Sequence, residues 1–228
     1  MKLTKRLIIV TALAAGSSFA ATYTINNGSG ATATGIADSS GNVFRGSTVA
    51  GTALGGTNGG TSAGPGVVGI GIFSTETLSS FTGSQLIASF TLFGTTGAFS
   101  ASGPTGARGQ FSLGEPAITI AGNSTFSGKN MFLFVGNGAT YQTSSQFLVL
   151  KNTKTFDIAD DAVPTGVTVT FTDTNSTRLF GSALADLRTT STDTTTNPGF
   201  AAIAPVPEPS VALVGAIGAL SLLRRRRI

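Results

Sequence analysis

Carboxylates are the side chains with the clearest capacity for chemistry in this sequence, because its 228 residues include no histidine and no cysteine. Without these two residue types, a Ser-His-Asp triad, a thiolate nucleophile, a histidine-bound zinc ion and a disulfide framework are excluded. Glu76 and Glu115 have the residue type of a glycosidase acid and base, but nothing in the sequence brings the two together. The sequence therefore predicts no catalytic residue and no enzyme, with a carboxylate-dependent hydrolase as an alternative.

A second group of carboxylates, Asp157, Asp160 and Asp161, lies a few residues after Asn152 and offers oxygen atoms of the kind that Ca²⁺ prefers. The spacing lacks the alternate-position pattern of a calcium-binding loop, which favours a solvated turn over a metal site. Gly64–Gly69 matches the Gly-x-Gly-x-x-Gly dinucleotide pattern, but a strand-like run follows it where that motif needs a helix. The sequence therefore predicts neither a metal ion nor an organic cofactor.

Half of the positive charge lies at the two ends of the chain. Of the 14 Lys and Arg residues, three (Lys2, Lys5 and Arg6) lie near the start and four (Arg224–Arg227) lie at the end, which leaves seven in the body against ten Asp and Glu residues in the whole chain. These seven are scattered and form no basic stripe that would contact phosphates. We therefore predict no nucleic-acid partner.

Short apolar runs separated by Gly, Ser, Thr and Asn fill the body of the chain, and several alternate with period two. Val167, Val169 and Phe171, for example, would lie on one face of a strand, with threonines between them on the other. Helical crossovers between the runs are missing, which favours antiparallel pairing. We predict one mainly β domain over residues 21–188, an antiparallel, jelly-roll-like β-sandwich with at most one short helix. The predicted strands are Thr22–Ile25, Val67–Phe73, Leu86–Phe93, Phe111–Leu113, Ala117–Ala121, Met131–Val135, Phe147–Leu150 and Val167–Phe171.

The end of the body carries the single helical pattern and then a polar linker. Leu179, Ala183 and Leu187 recur every fourth residue, which predicts a helix over Arg178–Arg188 with one apolar face. The segment Thr189–Pro205 begins with threonines, serine and aspartate that have little to bury, so we predict a flexible, solvated stalk.

The N-terminal segment Met1–Ala20 has the three parts of a secretory signal peptide. A charged start precedes the apolar stretch Leu7–Ala15, and Ser18–Ala20 supplies the small residues of a cleavage site. We predict cleavage between Ala20 and Ala21, with the Sec translocon and signal peptidase as partners.

The C-terminal segment combines an extended motif, an apolar stretch and an arginine run. Pro207 and Pro209 keep the backbone around Glu208 out of the helical region. Ser210–Leu223 would form about 21 Å of helix, a marginal length for a hydrocarbon core of about 30 Å. Arg224–Arg227 marks the end of the chain as cytoplasmic, because arginine-rich flanks stay on that side of the membrane.

Residues 206–228 together resemble the PEP-CTERM sorting signal, which exosortases recognise in exopolysaccharide-producing Gram-negative bacteria. The resemblance implies that Pro207, Glu208 and Pro209 form the processing motif and that Arg224, Arg225, Arg226 and Arg227 form the stop-transfer cluster. It also implies an exosortase partner, transient anchoring in the inner membrane by a C-terminal transmembrane helix, and a final place at the cell surface or in the extracellular matrix.

Three functions remain open for the exported body. The first is a non-catalytic structural or adhesive role. The second is a glycan-binding module of the exopolysaccharide matrix, for which Tyr23 and Tyr141 are the aromatic stacking platforms that the sequence offers, since tryptophan is absent. The third is the carboxylate-dependent hydrolase.

Overall fold

The computed structural model describes most of the predicted body and neither end of the chain. The predicted signal peptide, residues 1–20, and the segment 207–228 lie outside the described residues. The described residues are 21–27, 35–37, 57–58, 61–62, 66–99, 109, 111–114, 119–121, 123–163, 165–183 and 199–206.

Within the described residues the protein is mainly β, as the sequence predicts, with fourteen strands, one α-helix and one 3-10 helix. The helix α1 spans Gly83–Ser89, and the 3-10 helix spans Ile158–Ala162. The strands are β1 (Tyr23–Asn26), β2 (Gly35–Ala37), β3 (Thr57–Asn58), β4 (Thr61–Ser62), β5 (Val67–Phe73), β6 (Phe90–Gly97), β7 (Ser112–Gly114), β8 (Asn130–Gly136), β9 (Gln146–Thr155), β10 (Val167–Thr170), β11 (Ser176–Phe180), β12 (Ser182–Ala183), β13 (Gly199–Ala202) and β14 (Ala204–Pro205).

The largest sheet, here called the central sheet, has the strand order β11-β9-β8-β5-β6. All of its pairs are antiparallel, and the short strand β14 pairs with the start of β9. The predicted runs Val67–Phe73, Met131–Val135 and Phe147–Leu150 lie in β5, β8 and β9. These three neighbours form the middle of the sheet, so the strongest apolar runs of the sequence occupy its most buried positions.

Side chains of β5, β8 and β9 alternate between two hydrophobic cores on opposite faces of the central sheet. Burial on both faces explains why these strands read as nearly continuous apolar runs rather than alternating ones. The larger core takes Val68, Ile70, Leu133, Val135, Leu148 and Leu150 from these strands. The smaller core takes Val67, Phe73, Phe132, Phe134, Phe147 and Val149.

A second sheet of three strands, here called the outer sheet, has the order β10-β1-β7. Tyr23, Ile25, Leu113 and Val169 from its strands lie in the larger core together with the side chains from the central sheet. β1 is antiparallel to β7 but parallel to β10, and in a third sheet β13 is parallel to β2. The purely antiparallel expectation is therefore wrong for these two pairs. The reason is that a parallel pair needs a long connection, and here the central strands β5, β6, β8 and β9 lie between the partners in sequence.

The predicted helix Arg178–Arg188 is wrong for its described part, residues 178–183. Ser176–Phe180 pairs with the outer edge of β9, and Ser182–Ala183 pairs with β13. Gly181 between them has a φ of 111°, a left-handed value that a helix cannot contain. Pairing with the open edge of β9 therefore outweighs the weak helical propensity of this segment.

The predicted strand Leu86–Phe93 divides into the end of α1 and the start of β6. Thr82 caps the helix by accepting a hydrogen bond from the Gln85 N–H, and the Gln85 side chain accepts the Thr82 N–H in return. This capping box is readable in the sequence as Thr-x-x-Gln. Leu86 is buried in the smaller core, so the helix covers one face of the central sheet.

Residues 199–205, within the predicted stalk Thr189–Pro205, are strands in the structure. Gly199–Ala202 pairs with β2 and β12, and Ala204–Pro205 pairs with β9. The physical reason is that Ala201, Ala202 and Ile203 are apolar and buried. The described strands therefore extend to Pro205, while residues 189–198 lie outside the described part of the chain.

The tight approach of β5 and β6 yields a stability prediction. A Cβ atom on Gly71 would overlap the carbonyl oxygen of Thr91, whereas a Cβ on Gly114 of β7 would meet nothing within 4 Å. We expect Gly71→Ala to lower the free energy of unfolding by about 1–3 kcal/mol, measured by urea denaturation with far-UV circular dichroism. The matched Gly114→Ala should change it by less than about 1 kcal/mol. Equal effects of the two variants would contradict this close packing.

Candidate functional site

A groove of about 410 Å³ opens beside the far end of β9. The strand itself explains the position of the groove. Phe147 and Val149 lie in the smaller core, and by alternation Lys151 and Thr153 continue the same face beyond it. The groove is lined by Glu76, Asn130, Lys151, Asn152, Thr153, Thr177 and Leu179.

An ion pair spans the groove from β9 to the segment after β5. The Lys151 ammonium donates to both carboxylate oxygens of Glu76, at 2.7 and 2.9 Å, and the Asn130 amide donates to one of them at 3.1 Å. The Glu76 side chain is 50% exposed and the Lys151 side chain 27% exposed, so water screens this ion pair. Thr177 on β11 is paired in register with Lys151. The fold therefore brings an ammonium, a carboxylate, an amide and a hydroxyl to one open surface.

These groups can bind a polar ligand through hydrogen bonds. Hydroxyl and amide groups both donate and accept hydrogen bonds, and the partly buried Leu179 adds an apolar surface beside them. A sugar presents the matching combination of hydroxyl groups and a C–H face. Both oxygens of the Glu76 carboxylate are already bonded, so a free general base is not presented here.

The carboxylate alternative, Glu76 with Glu115, lies only partly within the described part of the chain. Glu76 lies in the groove, and Glu115 lies outside the described residues. The groove partners Asn130, Lys151 and Thr177 were missed by sequence reasoning. The alternating pattern from Phe147 to Thr153 is a sequence signal that places Lys151 beyond the core. The same pattern does not indicate that Glu76, which is distant in sequence, is the partner of Lys151.

The carboxylates predicted to form a solvated turn lie at the 3-10 helix that follows β9. Asp157 precedes this helix, and Asp160 and Asp161 lie within it. Asp157 caps that helix by accepting the Ala159 N–H at 2.9 Å. Asp160 and Asp161 are instead buried, with 6% and 5% exposure, so the expectation of a solvated turn is wrong for these two. Across the described residues, no group of three or more potential metal-ligating side chains converges.

The two buried carboxylates bind different partners. Asp160 accepts the Tyr23 hydroxyl at 2.7 Å and the Lys154 ammonium at 2.8 Å. Asp161 accepts three backbone N–H groups, from Ala21 at 3.2 Å, Ile120 at 2.9 Å and Ala121 at 2.7 Å. Residues 119–121, the described part of the predicted strand Ala117–Ala121, do not form a strand, so the prediction is wrong for them. The backbone N–H groups of Ile120 and Ala121 bond to Asp161 instead.

Both tyrosines are interior residues and not exposed stacking platforms. Tyr23 is fully buried and contacts the rings of Phe93 and Phe156, and Tyr141 is 8% exposed and stacks on Phe134. The Tyr141 hydroxyl donates to the Phe134 carbonyl at 2.9 Å. The expectation that these rings bind a glycan face is therefore wrong. In a chain without tryptophan, the larger core contains Tyr23 and the smaller core contains Tyr141.

The residues of the predicted processing sites lie mainly outside the described part of the chain. Ala20, the motif Pro207–Pro209 and the run Arg224–Arg227 are not described, whereas Ala21 is fully buried. The helices that the structure describes are too short to span a bilayer.

Comparison with protein families, with curated proteins and with solved structures found no match for this chain. Function is therefore inferred from the residues themselves.

The environment of Tyr23 predicts a loss of stability at alkaline pH. Burial, together with the hydrogen bond to Asp160 and the nearby carboxylate charges, raises the pKa of the Tyr23 hydroxyl well above its usual range. Below about pH 10 the phenol is protonated in both the folded and the unfolded chain. At higher pH only the unfolded chain loses this proton, so Tyr23 should lower the stability by up to about 1.4 kcal/mol per pH unit.

Urea denaturation between pH 9 and 11 measures this slope. Tyr23→Phe removes the ionising hydroxyl while keeping the ring, so this variant should lose that part of the pH dependence. The same slope in the variant and in the wild-type protein would show that Tyr23 does not contribute.

Proposed function

We propose that this protein is an exported β-protein of the cell surface or extracellular matrix, delivered by a C-terminal signal that an exosortase processes. The observation that carries the proposal is the order Pro207–Pro209, Ser210–Leu223 and Arg224–Arg227 at the end of the sequence. The last described strand, which ends at Pro205, is consistent with it, because the motif begins two residues after a paired strand. A processing enzyme could then act on a segment beyond the paired strands.

We infer that the exported domain is a β-sandwich. Support comes from the larger core, which takes side chains from both the central sheet and the outer sheet. Stacked sheets of this kind share one core between their inner faces.

We propose that this domain has a non-catalytic structural or adhesive role. It is supported by the absence of histidine and cysteine from the whole sequence and by the ion pair that occupies the Glu76 carboxylate. A hydrolase would need a free carboxylate aimed at a bound substrate.

Glycan binding is a second candidate, and the groove around Glu76 and Lys151 favours it. Its polar groups match sugar hydroxyls, and the matrix to which the C-terminal signal points is rich in polysaccharide. Adhesion would then occur through a defined groove instead of through the whole surface.

Replacing the processing motif tests the proposed sorting route. In exosortase-containing cells, the combined variant Pro207→Ala, Glu208→Ala and Pro209→Ala should stay in the membrane with its C-terminus intact, because the processing enzyme loses its motif. Cell fractionation and mass spectrometry of the C-terminal peptide measure this retention.

The control Asp193→Ala with Pro198→Ala removes one carboxylate and one proline upstream of the motif. It should be sorted like the wild-type chain. Normal release of the motif variant, or equal retention of motif variant and control, would contradict the proposed route.

The glycan candidate predicts that groove variants lose binding to purified exopolysaccharide from the producing cells. Glu76→Gln and Lys151→Met each remove one side of the ion pair, and each should weaken binding about tenfold or more, the equivalent of about 1.4 kcal/mol. Isothermal titration calorimetry measures the affinity, and a glycan array identifies the sugar.

Asp173→Asn is the matched control, since it removes an exposed carboxylate from the turn before β11, outside the groove. Its affinity should equal that of the wild-type protein. Wild-type protein that binds neither the polysaccharide nor any arrayed glycan would exclude this candidate and leave the structural role.

A further inference from the structure

Asp161 is a buried carboxylate without a cationic partner among the described residues. Its exposure is 5%, and the neighbouring cation Lys154 bonds to Asp160 instead. Its known partners are neutral backbone N–H groups, two on Oδ1 and one on Oδ2. Burying a charge is costly unless it is both hydrogen-bonded and paired, and among the described residues Asp161 has hydrogen bonds but no counter-charge.

One of the three donors is the backbone nitrogen of Ala21, which lies 3.2 Å from Oδ1 of Asp161. Ala21 is also the residue that follows the predicted signal-peptidase cleavage site. Hydrolysis of the Ala20–Ala21 bond consumes one water molecule, leaves a carboxylate on Ala20 and gives Ala21 a free amine. That amine takes up a proton at neutral pH, because the pKa of an α-amino group is ordinarily near 8.

We propose that signal-peptide cleavage creates the missing counter-charge of Asp161, so that export completes the folded structure. The amide N–H of Ala21 becomes an α-ammonium group at a position that already bonds to the carboxylate. This inference rests on the signal-peptide part of the proposed function, and it assigns Asp161 as the binding site of the mature N-terminus.

The position of Ala21 explains how this ion pair would act on the fold. Ala21 leads directly into β1, which lies between β7 and β10 in the outer sheet. Tyr23, two residues further on, is held by Asp160. Adjacent carboxylates thus bind the beginning of the same strand at two points, and the ion pair would fix its end against the larger core.

A double-mutant cycle tests the proposal on the chain from Ala21 to Ile228 in detergent micelles. A cleavable N-terminal fusion yields either Ala21 or an added Gly-Ser dipeptide as the start of the chain. The dipeptide restores a neutral amide at Ala21, so it should lower the melting temperature by at least about 6 °C.

Asp161→Asn is the second change in the double-mutant cycle, because it removes the charge of the Asp161 carboxylate. In this variant the dipeptide should change the melting temperature little, because the charge that it would separate from the N-terminus is gone. Asp157→Asn removes an exposed carboxylate nearby and should leave the effect of the dipeptide intact. An equal effect of the dipeptide in wild-type protein and in Asp161→Asn would overturn the proposal.

Amine reactivity gives a second readout that does not depend on the folding of Asp161→Asn. Acylating reagents attack the neutral amine, and a neighbouring carboxylate keeps the amine protonated. At pH 7 the α-amine of the folded Ala21 chain should be acetylated about tenfold more slowly than that of the chain with the dipeptide. Equal rates would contradict the ion pair.

The outcomes also separate this inference from the proposed export. An exported protein that begins at a residue other than Ala21 would contradict the predicted cleavage site. Absence of coupling in the purified Ala21 chain would instead contradict the role of Asp161 while leaving export unaffected.

Discussion

Burial of both faces of β5, β8 and β9 is the constraint on which the rest of the structure depends. The sequence has no cysteine, so a disulfide cannot hold this chain together and stability must come from burial. Phenylalanine does much of this work. Phe132, Phe134 and Phe147 contribute to the smaller core, and Phe93 and Phe156 pack around Tyr23 in the larger one. Leu86 of α1 lies in the smaller core on one face, and side chains of the outer sheet lie in the larger core on the other.

Charged side chains lie in two settings in this protein. Some lie where the buried part of a strand ends, and others are buried carboxylates that bind a neighbouring segment. Lys151 continues the face of β9 beyond the smaller core, and there it meets Glu76 in the open groove. Asp160 and Asp161 work in the opposite setting, inside the protein, where they bind the start of β1 through Tyr23 and Ala21. A carboxylate thus forms an open ion pair in one place and attaches a strand in the other, according to its exposure.

The sequence predicts the mainly β class and the central strands well. A short apolar run bounded by turn residues, such as Val67–Phe73, is typical of a strand that is buried on both faces. It fails where tertiary pairing decides between similar local patterns, as for the segment after Arg178, which forms an edge strand on β9 instead of a helix. It fails again after residue 198, where the apolar residues at 201–203 belong to the fold. The groove could not be predicted as a unit, because Glu76 and Lys151 are distant in sequence and meet only through sheet pairing.

Both ends of the folded domain lie close to the predicted processing sites. Ala21 is bonded into the interior at one end, and β14 ends at Pro205 at the other. Export and trimming would therefore leave a chain that keeps all of the described strands. Intact-mass spectrometry of the surface form from exosortase-containing cells measures both ends at once. A mass equal to a chain from Ala21 to the neighbourhood of Pro207 is the expected result, whereas a surface form that retains residues 1–20 or extends to Ile228 would contradict the proposed processing.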